Sequence, residues 1–198
     1  NGHPQPMNSH PRLAVPSRTP LSRNLDDFPI LTERLGADAP RQLWLIGDPA
    51  LLAARKTALF CSARCPGDAL LRAHDAAARL RDQGETVISG FHSPVERDCL
   101  NILLRGRPPL IVCPARTLDG MRLPRAWQTA LNAGRRLLLS PFEKTPRRVT
   151  AESAHRRNTL VAALADQVFI AHDAPGGQIA ALAARMNAWR VPLIQNPP

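Results

Sequence analysis

The chain reads as an α/β protein with a Rossmann-like, open, mostly parallel sheet and helices on both faces. Three observations predict this. Short apolar runs alternate with amphipathic segments from residue 42 onward. Those runs are almost continuously apolar, as expected of strands covered on both faces of a parallel sheet. Glycine stops several of the helical segments, as it does at helix C-termini.

The elements follow in order. Residues 1–25 hold five prolines with Ser, Asn and His, a composition that builds no core, so they are expected to form a flexible arm ahead of a domain at 26–198. "DDFPILTERLG" is a short helical lead-in. "QLWLIG" (42–47) and "TALFCS" (57–62) are strands. Residues 67–83 are a helix with Leu70, Leu71, Ala77, Ala78 and Leu80 on its apolar face, stopped by Gly84. "TVISG" (86–90) is a strand. Ser93 can cap the next helix and Pro94 suits its first turn; it runs to about Arg105 and ends at Gly106. "PLIVCP" (109–114) is a strand, 124–134 a helix, "RLLLSP" (136–141) a strand, 150–165 a helix, "QVFIAH" (167–172) a strand, 176–189 a helix and "VPLI" (191–194) a last strand. Connections between the parallel strands should be right-handed.

Composition narrows the function. A length of 198 residues with 44% hydrophobic and 21% charged side chains suits one globular domain. No apolar run approaches the roughly 20 residues of a membrane span, and residues 1–40 carry no signal-peptide pattern. We therefore expect a cytoplasmic protein that does not engage the membrane. Net charge is +10. Arg12, Arg18, Arg23 and Arg34 are balanced by Asp26, Asp27, Glu33 and Asp38, so the excess falls after residue 40. It is nearly all arginine, beside Lys56 and Lys144 only. A planar guanidinium fits phosphate in a way ammonium does not, and an excess of this size points to a polyanionic partner.

Cys61, Cys65, Cys99 and Cys113 fit no zinc spacing and read as reduced, buried, small hydrophobes. His92, His155 and His172 have no partner at metal-ligand spacing. No metal or cofactor is expected. No nucleophile or acid–base constellation is legible, so no catalytic residue is assigned and a binding protein is expected ahead of an enzyme.

In open parallel sheets, ligands bind beyond the carboxyl ends of the strands. Three strand-to-helix loops there carry small residues and glycine. The first offers Ser62, Arg64 and Gly67, the second Ser89, Gly90, Phe91 and His92, and the third Pro175, Gly176 and Gly177. Each leads into a helix N-terminus, which favours anions. A basic cluster comprises Arg135, Arg136, Lys144, Arg147, Arg148, Arg156 and Arg157 against Glu143 and Glu152. Arg148, Arg157 and the neighbouring Asn158 are candidate phosphate contacts. Aromatics are few, five Phe and three Trp with no Tyr, although single-strand binders commonly stack bases on aromatic rings. The same edge would serve two kinds of anion: single-stranded DNA, or a nucleotide bound by a sensor or nucleotide-processing enzyme. A scaffold that only dimerises is a third reading. Salt separates the first two, because multiple phosphate contacts weaken steeply with salt.

The segments "DFPILTERLG", "LWLIGDPALL" and "TALFCSARCPGD" together resemble the entry region of the DNA-processing protein A (DprA/Smf) family. That family places a Gly-Ser-Arg loop after the second of these strands; here Cys61 stands for the glycine, and Ser62 and Arg64 remain with one residue inserted. "LRDQGETVISGF" resembles the family's G-x-x-V-V-S-G-L segment, and "AHRRNTLVAALADQVFIAH" its R-x-N-R-x-I-A-G-L-S-D helix and following strand. "APGGQIAAL" occupies the place of its phosphate loop. The resemblance covers about Asp26 to Ile194 and implies a Rossmann-like domain that binds single-stranded DNA, acts in natural transformation, helps load the recombinase RecA and forms dimers. After Gly90 the chain reads Phe91-His92-Ser93-Pro94 where the family has A-R-G-I-D, so basic and acidic partners are rearranged. The related lysine decarboxylase-like LOG enzymes carry P-G-G-x-G-T-x-x-E. Pro175-Gly176-Gly177 match that signature, but Ile179, Ala180 and Ala183 replace its glycine, threonine and glutamate, which argues against their hydrolase chemistry.

Overall fold

The computed structural model describes residues 21–144 and 148–195. Among the described residues, eight strands form one sheet: β1 (Leu21–Asn24), β2 (Gln42–Gly47), β3 (Lys56–Cys61), β4 (Thr86–Ser89), β5 (Leu110–Val112), β6 (Arg136–Ser140), β7 (Gln167–His172) and β8 (Leu193–Ile194). Six α-helices of the described residues join them: α1 (Pro29–Leu35), α2 (Gly67–Asp82), α3 (Pro94–Leu104), α4 (Arg125–Asn132), α5 (Ala151–Leu164) and α6 (Gln178–Ala188). The spatial order is β1-β2-β6-β5-β4-β3-β7-β8. The six strands from β6 to β8 in that order run parallel. β2 pairs antiparallel with β6, and β1 antiparallel with β2.

Successive strand residues point to opposite faces, and the core divides accordingly. Ala58, Phe60, Ile88, Ile111, Leu137, Leu139 and Val168 pack on one face with Leu31 and Leu35 of α1, Leu160 and Leu164 of α5 and Leu182 and Met186 of α6. Leu59, Val87, Leu110, Val112, Leu138 and Phe169 pack on the other with Ala73, Ala77 and Leu80 of α2, Val95 and Cys99 of α3 and Leu131 of α4. Two full apolar faces explain why these strands carry little alternation in the sequence.

Two details differ from expectation. Residues 21–24, assigned to the arm, form edge strand β1 with Leu21 opposite Leu45 and Asn24 opposite Gln42. All four are exposed, so no hydrophobic pattern marks them; residues 1–20 lie outside the described part. On α2 the buried stripe is Ala69, Ala73, Ala76, Ala77 and Leu80, while Leu71 is 62% exposed. Small alanines let α2 sit close to the sheet, and that turns Leu71 outward.

The strand order places the site. From β3 the chain steps outward through β4 and β5 to β6, on the α2/α3/α4 face. It then crosses back on the opposite face through α5 to β7, on the other side of β3. The direction of winding reverses at β3, so the loops after β3, β4 and β7 diverge at its carboxyl end and leave a crevice.

Candidate functional site

That crevice is a cavity of about 350 Å³, bounded by the three loops and by α5 and α6. Its wall includes Ser62, Arg64, His92, Glu96, Arg157, Asn158 and Gly177. The loops are tied together by short polar contacts. The Ser62 N–H donates to the His172 carbonyl at 2.9 Å, and its Oγ accepts from the Ala174 N–H at 2.9 Å. The loop after β3 is thereby fastened to the loop after β7.

Glu96 fastens the loop after β3 to the loop after β4. Its carboxylate is buried and accepts from the N–H of Cys61 at 3.0 Å, of His92 at 2.8 Å and of Ser93 at 3.2 Å. Ser93 Oγ accepts from the Glu96 N–H at 3.2 Å, which completes a capping box on α3. The N-terminus of α3 is thus occupied by the protein's own carboxylate. The N-terminus of α6 is not: Gly177 is its N-cap and supplies no side chain. The first-turn N–H groups of a helix have no intrahelical acceptor, and here Gly177, Gln178 and Ile179 line the cavity. Gly176 reaches this turn with φ +69°, a left-handed conformation that glycine adopts without a Cβ penalty.

Arg157 lies on the opposite wall, 3% exposed. Its Nε donates to Asn158 Oδ1 at 2.7 Å and its Nη1 to the Cys113 carbonyl at 3.2 Å. A Cβ at Gly90 would collide with the guanidinium, so glycine is required there to let the arginine lie flat across the end of β4. Burial pulls the Arg157 pKa below the usual arginine value, and the Glu96 carboxylate opposes that shift. A guanidinium and an uncapped helix N-terminus that face one cavity both favour an anion.

The structure brings Ser62, Arg64, His92, Arg157, Asn158 and Gly177 together, with Gly90 behind Arg157. Other candidates have different roles. Ser89 is buried and its hydroxyl is committed, donating to the Leu59 carbonyl at 2.7 Å and accepting from the Phe91 N–H at 3.1 Å. Phe91 is 5% exposed with φ +46°; its ring packs in the α2/α3 core and no base can stack on it. Gly67 begins α2 outside the cavity, and a Cβ there would stand in open space. Pro175 and Gly176 shape the turn without lining the cavity, and Arg148 is exposed ahead of α5, also outside it.

The basic cluster divides. Arg135 and Arg136 stand at the start of β6, on the amino edge, away from the cavity. Arg136 is 2% exposed and donates from Nη1 to the carbonyls of Pro108 at 2.7 Å and Arg135 at 2.8 Å. Burial, then the neighbouring Arg135, pulls its pKa to about 10. Arg147 lies outside the described residues. Glu96 escapes sequence reasoning as a site residue, although the Ser93-x-x-Glu96 spacing is a legible capping box. Gln178 and Ile179 carry no sequence signal beyond their place after the glycines.

Cys61, Cys99 and Cys113 are buried. Burial pushes the thiols of Cys99 and Cys113 up to about 12 and that of Cys61 higher still, which opposes thiolate chemistry. Among the described residues, no group of three or more His, Cys, Asp or Glu is placed to hold a metal, and no helix is long and apolar enough to cross a membrane.

The comparisons agree with this fold. The family model for DNA recombination-mediator protein A matches residues 20–193. Among solved structures, DNA processing protein A from Helicobacter pylori, described for its single-stranded DNA binding mode, aligns with a TM-score of 0.67 and 24% identity over 88% of this chain and 78% of that one. DNA processing protein A from Streptococcus pneumoniae aligns with a TM-score of 0.70 and 20% identity over 87% of this chain and 61% of that one. Both likenesses establish the fold. No curated protein sequence matches the chain.

Proposed function

The chain belongs to the DNA recombination-mediator protein A family, and from that premise we propose that it binds single-stranded DNA by its phosphate backbone in the crevice at the end of β3. The observation that carries this reading is the pairing of the Arg157 guanidinium with the uncapped N-terminus of α6 across one cavity. Arg157 and the α6 backbone N–H groups take the phosphate, with Asn158 beside them. Arg64 and His92 reach it from the exposed rim. Ser62, Glu96 and Gly90 hold the loops and the arginine in place. The Helicobacter pylori relative is described as a single-stranded DNA binder, which supports the same assignment. From the family we further infer the setting: a cytoplasmic homodimer acting in DNA uptake and handing its strand to the recombinase RecA.

Fluorescence anisotropy with labelled oligo-dT over a salt series tests the proposal. The wild type binds with micromolar or better affinity at low salt. Arg157→Ala and Arg64→Ala weaken binding to all sequences alike, because a phosphate contact carries no base information. Each also flattens the log–log salt slope by roughly 0.7 per lost contact. No oligo-dT binding at low salt, alongside saturable binding of a mononucleotide, would transfer the site to the nucleotide sensor or nucleotide-processing reading.

A further inference from the structure

The N-terminal half of α5 separates two hollows. Ala154, Arg157 and Asn158 face the crevice already described. Glu152, His155, Arg156 and Thr159 line a cavity of about 600 Å³ on the other side, walled by the segment from Leu35 to Arg41 and by Arg185. A further hollow of about 450 Å³ shares Arg41, Pro141 and Arg156 with it and reaches Trp44. Together they make a groove that continues along the carboxyl edge, past the end of β6.

The chemistry of this groove differs from that of the crevice. Asp38 and Glu152 offset the arginines, so a bare phosphate has little preference for it. Two of its guanidinium groups are held against aromatic rings: Arg156 lies 5.0 Å from the Phe142 ring centre and Arg185 5.1 Å from that of Trp189. Arg185 also pairs with Asp38 at 3.6 Å. The Thr159 hydroxyl is buried with no hydrogen-bond partner among the described residues. Leu35, Pro40, Pro141 and Leu160 supply apolar wall. Flat cationic planes, carboxylate acceptors, a spare hydroxyl and apolar sides suit a planar heterocycle. Nucleobases present donors and acceptors along one edge and stack on guanidinium planes.

We propose that this groove is a second subsite, which takes a nucleobase of the strand whose phosphate is bound in the crevice; the proposal rests on the function proposed above. The two sites are separated by one helix, about 10–12 Å across with its side chains, a distance that a short run of single strand covers. This placement also answers the scarcity of aromatic side chains, because bases stack on arginine planes rather than on Phe91, whose ring is buried. A nucleobase could also come from a free nucleotide, and the experiment separates the two sources.

The test measures binding of oligo-dT of roughly 4 and roughly 16 nucleotides, spanning common single-strand site sizes, and of dTMP, to wild type, Arg156→Gln and Thr159→Val. Arg156 is exposed and Val matches Thr in shape, so both variants keep the fold, which circular dichroism and thermal melting confirm. The expected result is roughly a tenfold loss for the longer strand in Arg156→Gln, about the worth of one stacked base, a smaller loss in Thr159→Val, and less than about a twofold change for the short strand. Equal affinities of both variants and wild type for the longer strand would overturn the subsite while leaving the crevice reading intact. Loss of dTMP binding in Arg156→Gln with no change for the longer strand would assign the groove to a free nucleotide and likewise overturn the proposal. Absence of any oligo-dT binding by the wild type would overturn both readings.

Discussion

Arg136 and Arg157 are buried to nearly the same degree, 2% and 3% exposed, at opposite edges of one sheet. Their surroundings differ in what is left open. Arg136 begins β6 on the amino edge, where two backbone carbonyls hold one of its nitrogens, and it lines none of the cavities described above. Arg157 crosses the carboxyl edge, makes one bond to Asn158 and one to a carbonyl, and faces about 350 Å³ of open volume opposite an uncapped helix. A buried arginine therefore marks a ligand site only where its unused donors meet space. Arg136 is a support for the loop before β5, and Arg157 is a support that also presents charge.

Three measurements put this distinction at risk. The largest effect belongs to Arg136→Ala. It removes a buried stem and leaves the Pro108 carbonyl without its donor, while the Arg135 carbonyl keeps the Leu110 N–H, at a cost of about 3 kcal/mol. For a domain of this size the thermal midpoint falls by roughly 6–12 °C, while oligo-dT affinity of the folded fraction stays at the wild-type value. A parallel loss of affinity would show that the two edges are coupled and end the distinction.

The second measurement uses matched glycines. A Cβ at Gly90 meets the Arg157 guanidinium, and one at Gly106 meets the Arg81 stem and, at 3.2 Å, Pro108 Cδ. Gly90→Ala and Gly106→Ala should each cost about 1–3 kcal/mol by overpacking. Only Gly90→Ala should also weaken oligo-dT binding, by roughly tenfold, as the displaced guanidinium loses its charge-assisted contact. Equal affinities in isothermal titration would remove Arg157 from the site.

The smallest effect is expected at Arg148. It is exposed, lies on the carboxyl side just ahead of α5 and stands outside the cavity lining. Arg148→Ala should change low-salt affinity by no more than about twofold, within the small range of surface substitutions, with melting temperature unchanged. A loss as large as that of Arg157→Ala would extend the strand path over this residue and redraw the crevice.

Patterns local to the chain were legible. The strand "TALFCS" and the helix after Gly67 follow from their apolar content and, for the helix, from Gly84 at its end. The Ser93 cap follows from one hydroxyl ahead of Pro94, and small residues before helices mark the three loops, at Ser62, Gly90 and Gly177, that meet at the crevice. Edge strand β1 was not legible, because its four side chains are all exposed and its pairing is made by backbone. The roles of Ser89 and Phe91 were also hidden: a hydroxyl next to a glycine reads as a ligand until the Leu59 carbonyl 30 residues away is found to hold it.

The class of fold, the order of elements from β2 onward and the excess of arginine can all be read along the chain, since the periods of strand and helix and the placement of glycine are written within a few residues. Which arginine faces a ligand cannot be read that way. The crossover through α5 puts β7 beside β3, and that long-range pairing brings the loop at Gly177 to those at Ser62 and Gly90, which β3 and β4 already hold side by side, while Arg136 stays at the far edge. Arg136 and Arg148 share a charge and lie close in the chain, yet β6 carries them to different edges of the sheet. Their separation is set by where the strands pair, and pairing is a property of the packed whole.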